Sequence, residues 1–320
     1  MLRAELERRE KTEWLNTWYS CANKKSKRCL LIGDSVTRNI RSALEVILNN
    51  AMSVDLFAAS FAITDQLFWK NLHSFWDDAY TYTAIIINYG FHHDFGCRCC
   101  EDSLDLEKIK DGYRSLVELC KKYCENIIIM NGTSMRTIDD ISKIDTWCEK
   151  EISARNEAVK SVAKEHGCRY FDVNSLMKIN KQYSYTDHVH FEHNAYSFIA
   201  YSLVTDISIL NRDEYQRTKR EFRNYLSWKD NKEYIIYGAG QVGVRLYFAL
   251  KYYGLDKKIF AWASTDTIIG ETTLFEKPVY EISRIEPGGK AVIIAVGSKI
   301  ESKKMKLCAE SNGFDTVVLF

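Results

Sequence analysis

Cys29-Leu30-Leu31-Ile32-Gly33-Asp34-Ser35 is the stretch on which the reading of this chain turns. The four apolar residues have the composition of a buried strand, and Val36 to Asn49 carries apolar residues at helical spacing. A serine at such a strand-to-helix turn holds its hydroxyl at the carboxyl edge of the sheet, where open α/β sheets keep their sites. The helix amino terminus beside it favours developing negative charge. Gly33-Asp34-Ser35 alone is a weak signal. It gains weight from Asp187-His188-Val189-His190, an acid and an imidazole three residues apart near the end of the same sheet-forming region.

Outward from this stretch, strand and helix patterns alternate. Strands are expected at 28–33, 53–58, 83–88, 126–131 and 169–173, and helices at 36–49, 65–76, 104–123, 147–166 and 194–210. Such alternation predicts a parallel sheet between helices. Ala84-Ile85-Ile86-Ile87 and Ile127-Ile128-Ile129-Met130 are apolar on both faces, as buried parallel strands are. A second alternation follows, with strands at 233–237, 258–263, 291–296 and 315–319 and helices at 241–253 and 300–312. The domains expected are an N-terminal helix within 1–25, an α/β domain at 26–211, a connecting helix at 212–232 and a small α/β domain at 233–320. The first helix is inferred from Leu2, Leu6, Trp14 and Trp18, spaced to cover an apolar surface.

At 320 residues the chain has the length of about two domains. Hydrophobic residues make up 46% and charged residues 27%, ample for two cores and inconsistent with disorder. A net charge of +1 offers no electrostatic argument for nucleic acid or an anionic membrane. Met1 to Glu10 is densely charged, unlike a secretory signal, and no apolar run reaches the ~18 residues of a membrane span. A cytoplasmic protein is expected, with ten cysteines kept reduced. Cys97, Cys99 and Cys100 follow His92, His93 and Asp94, but they lack the paired spacing of a zinc site, so no metal is expected. Cys120 and Cys124 read as small buried hydrophobes.

A serine hydroxyl is scarcely ionised near neutral pH and needs a base to become a nucleophile. His190 is the candidate base for Ser35, and Asp187 the group that orients it. His188 and His193 compete for the base role. A tetrahedral oxyanion further needs preorganised donors, each worth about 10²–10³ in rate. Asn88-Tyr89-Gly90-Phe91-His92-His93-Asp94 follows the strongest strand and offers the side chains of Asn88 and His92, with Gly90 permitting a sharp turn. The backbone N–H groups of Ser35 and Ser60 are further candidates.

With these blocks the chain resembles the SGNH (GDSL-type) hydrolase superfamily over roughly residues 26–211. Gly33-Asp34-Ser35 matches the first block and Asp187-x-x-His190 the last, with Asn194-Ala195-Tyr196 opening the following helix. The third block, usually Gly-x-Asn-Asp, is represented by Gly90-Phe91-His92-His93, with Asp94 displaced by one residue. Ser60 stands where the second block has glycine. The resemblance implies a flavodoxin-like parallel sheet, a Ser35–His190–Asp187 triad, and hydrolysis or transfer of acyl groups on carbohydrates, lipids or small esters.

Gly238-Ala239-Gly240-Gln241-Val242-Gly243 follows the strand Tyr234-Ile235-Ile236-Tyr237 and opens a helix, the context of a Rossmann-like βαβ unit. Asp266 comes late for an NAD ribose, and about 90 residues is short for a dinucleotide domain. The segment resembles the small Rossmann-like domains appended to bacterial glycan-biosynthesis enzymes. A nucleotide or nucleotide-sugar held near Gly238, Gly240 and Gly243 is as compatible with it as a structural or docking module.

The function expected is a serine esterase acting on an acylated carbohydrate or related small ester, with no cofactor required for hydrolysis. The alternatives are an O-acyltransferase on a glycan precursor, and a nucleotide-binding or scaffold protein with a vestigial hydrolase site. The partner expected is a small-molecule or glycan ester, without nucleic acid or membrane. Nothing in the sequence specifies the oligomeric state.

Overall fold

The computed structural model describes residues 14–21, 23, 26–48, 51–76, 80–89, 105–265 and 272–319. The chain divides into two compact units, Met1–Glu45 with Ala51–Ile209 and Val46–Asn50 with Leu210–Phe320.

The first unit carries strands β1 (Leu15–Trp18), β2 (Arg28–Gly33), β3 (Ser53–Ala59), β4 (Ala84–Asn88), β5 (Ile127–Met130) and β6 (Arg169–Phe171). Its helices are α1 (Ser35–Leu48, of which residues 35–45 belong to this unit), α2 (Gln66–Phe75), α3 (Leu106–Lys121), α4 (Thr146–Glu165), α5 (Val173–Ile179) and α6 (His193–Ile207). The sheet order is β1-β3-β2-β4-β5-β6, parallel except for β1. Without β1 this is the 2-1-3-4-5 order of flavodoxin-like sheets, whose switch point lies between β2 and β4. Leu30, Ile32, Phe57, Ile85, Ile87, Ile127 and Ile129 form one core with apolar residues of α2, α3 and α4. The alternate residues Leu31, Leu56, Ile86 and Ile128 are equally buried, so both faces of the sheet are covered. Each isoleucine so buried contributes roughly 1.5–3 kcal/mol. Four of the helices begin at an aspartate, Asp65, Asp105, Asp145 or Asp172, whose carboxylate accepts free N–H groups of the first turn.

Two elements differ from expectation here. Residues 15–18, expected in a helix, form edge strand β1, antiparallel to β3 with Leu15 opposite Ala59 and Trp18 opposite Leu56. Trp14 and Trp18 do not fill an apolar interface: the guanidinium groups of Arg38 and Arg41 lie over their rings at 4.7 and 4.8 Å. Residues 1–13 of the expected helix lie outside the described residues. Helix α5, about two turns long, is an additional element after β6.

The second unit carries α7 (Arg212–Tyr225), β7 (Tyr234–Tyr237), α8 (Gln241–Tyr252), β8 (Ile259–Ser264), β9 (Thr272–Leu274), β10 (Lys277–Glu281), β11 (Ala291–Ala295), α9 (Lys299–Ser311) and β12 (Asp315–Leu319). The sheet runs β12-β11-β7-β8-β10-β9, with β9 alone antiparallel. Its core gathers Ile235, Tyr237, Ala263, Val292 and Ile294 around Ile282, Ala309 and Phe314. Helix α7, expected as a connector, packs within this unit: Tyr215 donates to the Tyr252 carbonyl at 3.0 Å, and Phe222 meets the Tyr253 ring. Among the described residues, no helix is long and apolar enough to cross a membrane.

Candidate active site

Strand β2 ends in Gly33, and Ser35 is the first residue of α1. The tightness of this turn explains the glycine. A Cβ at Gly33 would lie 2.1 Å from Thr37 Oγ1 and 2.2 Å from the Asn88 carbonyl oxygen at the end of β4. Asp34 is buried, and its carboxylate accepts the Val36 N–H at 2.9 Å. Ser35 is thereby fixed at the switch point, half-buried.

The partner arrives from the loop before α6. Residues Tyr185 and Phe191 pair across it, and the Thr186 N–H donates to the His190 carbonyl at 2.8 Å. Inside this closed turn, Asp187 Oδ1 accepts the N–H groups of Val189 and His190 at 2.8 and 2.7 Å. Its other oxygen lies 2.8 Å from His190 Nδ1, and His190 Nε2 lies 2.7 Å from Ser35 Oγ. In the tautomer with the proton on Nδ1, the imidazole donates to Asp187 and accepts from the Ser35 hydroxyl. Partial burial opposes the charge on Asp187, but the His190 and Val189 N–H groups and the imidazole outweigh it, holding the carboxyl below its ordinary range. The imidazole bonded to Ser35 is thus that of His190. His188 instead gives its carbonyl to the Arg136 N–H at 2.7 Å, and His193 opens α6.

The candidate oxyanion donors do not converge in the same way. Both amide protons of Asn88 are engaged, donating to the carbonyls of Met130 and Asn131 at 3.1 and 2.8 Å. With Asn88 only 2% exposed, its side chain fastens β4 to β5 and has no proton left for an oxyanion. Ser60 is likewise engaged. Its N–H donates to the Trp14 carbonyl at 3.1 Å and its hydroxyl accepts the Trp14 N–H at 2.8 Å, because edge strand β1 continues alongside. Both expectations are corrected on that ground. Gly90 and His92 lie outside the described residues, as do His93, Asp94, Cys97, Cys99 and Cys100. Among the described residues, no group of three or more His, Cys, Asp or Glu is placed to hold a metal.

Two buried side chains at the end of β4 were not read from the sequence. The Tyr89 carbonyl, just before Gly90, accepts from Tyr113 Oη at 2.7 Å and from Arg155 at 2.8 Å. Arg155 is 2% exposed and shares the buried face of α4 with Ile152 and Val159. An arginine on a stripe that is apolar apart from Asn156 was the available signal.

In the second unit the three glycines separate by role. Gly238 has φ +117°, and a Cβ there would lie 2.5 Å from the Ala295 carbonyl oxygen. A Cβ at Gly243 would lie 2.0 Å from the Gly238 carbonyl oxygen. Gly240 caps α8 with an ordinary φ of −86°, and a Cβ added there would meet nothing within 4 Å.

No family model matches the chain. No curated protein matches it either. Among solved structures, it is similar to an α/β hydrolase from the metagenome of Lake Arreo, Spain, at 14% identity, covering 58% of this chain and 96% of that one with a TM-score of 0.46. It is also similar to a catalytic mutant of an acetylxylan esterase from Geobacillus stearothermophilus, at 15% identity, 57% and 94% coverage and a TM-score of 0.42. A third similar structure is a carbohydrate esterase family 2 enzyme with its carbohydrate-binding domain from Corynascus thermopiles, at 14% identity, 59% and 67% coverage and a TM-score of 0.46. At such values the likeness assigns no activity to this chain.

Proposed function

We propose that the first unit is a serine ester hydrolase of SGNH type. The observation that carries this reading is the unbroken chain Asp187–His190–Ser35, with links of 2.8 and 2.7 Å at the switch point of a parallel sheet. Ser35 Oγ attacks the ester carbonyl while His190 Nε2 takes its proton. Asp187 holds the ring in the required tautomer and stabilises the imidazolium without itself being protonated. His190 then returns the proton to the departing alcohol, and water releases the acyl group by the same steps in reverse order. The Ser35 N–H, at the start of α1, and the segment from Gly90 to His92 are the donors we assign to the oxyanion.

The substrate class we favour is an acylated carbohydrate or small ester, and no cofactor enters these steps. The second unit we read as Rossmann-like. Counted on its parallel strands its order is 3-2-1-4-5, and Gly238 and Gly243 hold the turn between β7 and α8. It departs from a full dinucleotide fold between β8 and β10, where the described residues form a β-hairpin arm rather than a crossover helix. Gly238 and Gly243 thus have steric reasons of their own, and a structural or docking role suits the unit better than tight NAD binding.

The test is hydrolysis of 4-nitrophenyl acetate by the full chain. Turnover that disappears in Ser35→Ala is expected. Equal rates in wild type and Ser35→Ala contradict the proposal.

A further inference from the structure

Beyond the nucleophile, the first unit has a cleft of about 400 Å³ at the carboxyl edge of its sheet. It lies between the segment after β5 and helix α5, and its walls include Ser134, Arg136, Asn174, Lys178, Lys181 and Tyr185. The lining holds three cationic side chains and no carboxylate. Among the described residues two carboxylates border it: Glu149 of α4 pairs with Lys178 and faces Tyr185, and Asp140, itself paired with Lys143, accepts from Ser142 of the lining. Arg136 and Lys181 are left as a net excess of positive charge.

The walls are built rather than loose. The Ser134 hydroxyl and N–H both donate to Asn174 Oδ1 at 2.9 Å, and Tyr185 Oη donates to the Ser134 carbonyl at 2.7 Å. The Arg136 guanidinium stacks over the Tyr185 ring at 4.3 Å, and one of its terminal nitrogens reaches the Ser142 carbonyl at 3.4 Å. Arg136 is partly buried, with its Nε enclosed and its guanidinium held by the Tyr185 side chain. A guanidinium so fixed in the wall of a cleft is suited to a carboxylate or phosphate.

The cleft also shares its wall with the candidate active site. The Arg136 N–H holds the His188 carbonyl at 2.7 Å, and Tyr185 pairs with Phe191, the residue after His190. Tyr185 and Phe191 also pack ring on ring at 4.2 Å. We propose that this cleft binds an oxyanion group of the substrate, so that the ester presented to Ser35 belongs to an acidic sugar. The inference rests on the hydrolase reading for its link to Ser35, whereas the anion site itself does not. The shared chemistry is a planar or tetrahedral oxyanion, from either a uronate carboxylate or a sugar phosphate.

Two measurements test it. The first is the ratio of kcat/KM for acetylated galacturonate methyl glycoside, or acetylated glucose 1-phosphate, to that for the neutral acetylated glucoside. Wild type should favour an anionic ester, and Arg136→Ala and Lys181→Ala should each lower the ratio, Arg136→Ala by about tenfold or more. Arg136→Lys, which keeps the charge and loses the fork, should fall between. Whichever anionic ester loses more identifies carboxylate or phosphate as the group. An unchanged ratio in a folded Arg136→Ala overturns the inference and leaves the hydrolase reading intact. The second is calorimetric titration of the Ser35→Ala chain with galacturonate and with glucose 1-phosphate, which needs no turnover. Binding of one of them that weakens in Ser35→Ala/Arg136→Lys and with added salt supports the cleft even if no ester is hydrolysed. No binding of either anion, or binding indifferent to Arg136, overturns it.

Discussion

His190 Nε2 lies 2.7 Å from Ser35 Oγ although 155 residues separate them in the chain. Two local structures make this meeting. Gly33 lets α1 start directly beneath the end of β4, and the turn closed by Tyr185 and Phe191 presents the imidazole. Residues linked this way act as a unit. Ser35→Ala and His190→Ala should each lower kcat by on the order of 10⁴-fold or more, and the double variant little further. Steady-state kinetics on the three proteins check it, and multiplicative losses would show that the two act separately.

Asp187→Asn should preserve the fold and lower kcat by on the order of 10⁴-fold, because the amide supports the wrong imidazole tautomer. A pH signature accompanies it. The folded pKa of Asp187 is depressed, so the stability its charge adds is present above the unfolded carboxyl value of about 3.9 and is lost as pH falls through the lower folded value. In denaturant titrations the stability gap between wild type and Asp187→Asn should therefore still be open at pH 5. The gap should narrow only at more acid pH. A gap that closes between pH 7 and pH 5 would contradict the assignment.

Asn88→Ala should act on stability. The change removes two donors from the buried carbonyls of Met130 and Asn131, and each carbonyl left unsatisfied costs about 1–3 kcal/mol. The denaturation midpoint should fall accordingly, while the folded fraction keeps a kcat within about tenfold of wild type. A drop of the 10²–10³ size expected of an oxyanion donor, at unchanged stability, would return that role to Asn88.

The glycines of the second unit should respond unequally to alanine. Gly243→Ala places a methyl 2.0 Å from a backbone oxygen and should cost about 1–3 kcal/mol or more. Gly240→Ala meets open space and should change stability by less than about 0.5 kcal/mol. Thermal melts of both variants decide the point. Equal destabilisation would mean that Gly240 is held by contacts other than those seen.

Much of the architecture was legible because long apolar runs and helical periodicity announce buried strands and their helices, as at Ile85-Ile86-Ile87 and along α3. Strand β1 was not. Trp14 and Trp18 are four apart, a spacing that puts two residues on one face of a helix and equally on one face of a strand. All four residues of β1 are exposed, so no inside–outside alternation marks them. The hairpin of β9 and β10 was missed for a different reason. Its turn places Phe275 and Glu276 at φ +50° and +63°, a conformation normally signalled by glycine or asparagine. The meeting of Ser35, Asp187 and His190 could be anticipated because Asp187 and His190 stand three residues apart and Ser35 follows a strand end. The engagement of Asn88 and Ser60 could not, since it depends on which carbonyls the neighbouring strands bring alongside.

The most direct test of the central claim, that Ser35 is a nucleophile activated by His190, is intact-mass analysis after treatment with a fluorophosphonate. A single adduct that peptide mapping places on Ser35, absent from Ser35→Ala and formed far more slowly in His190→Ala, is the predicted result. Labelling of wild type at another serine, or none where a known serine esterase labels fully, would contradict the account.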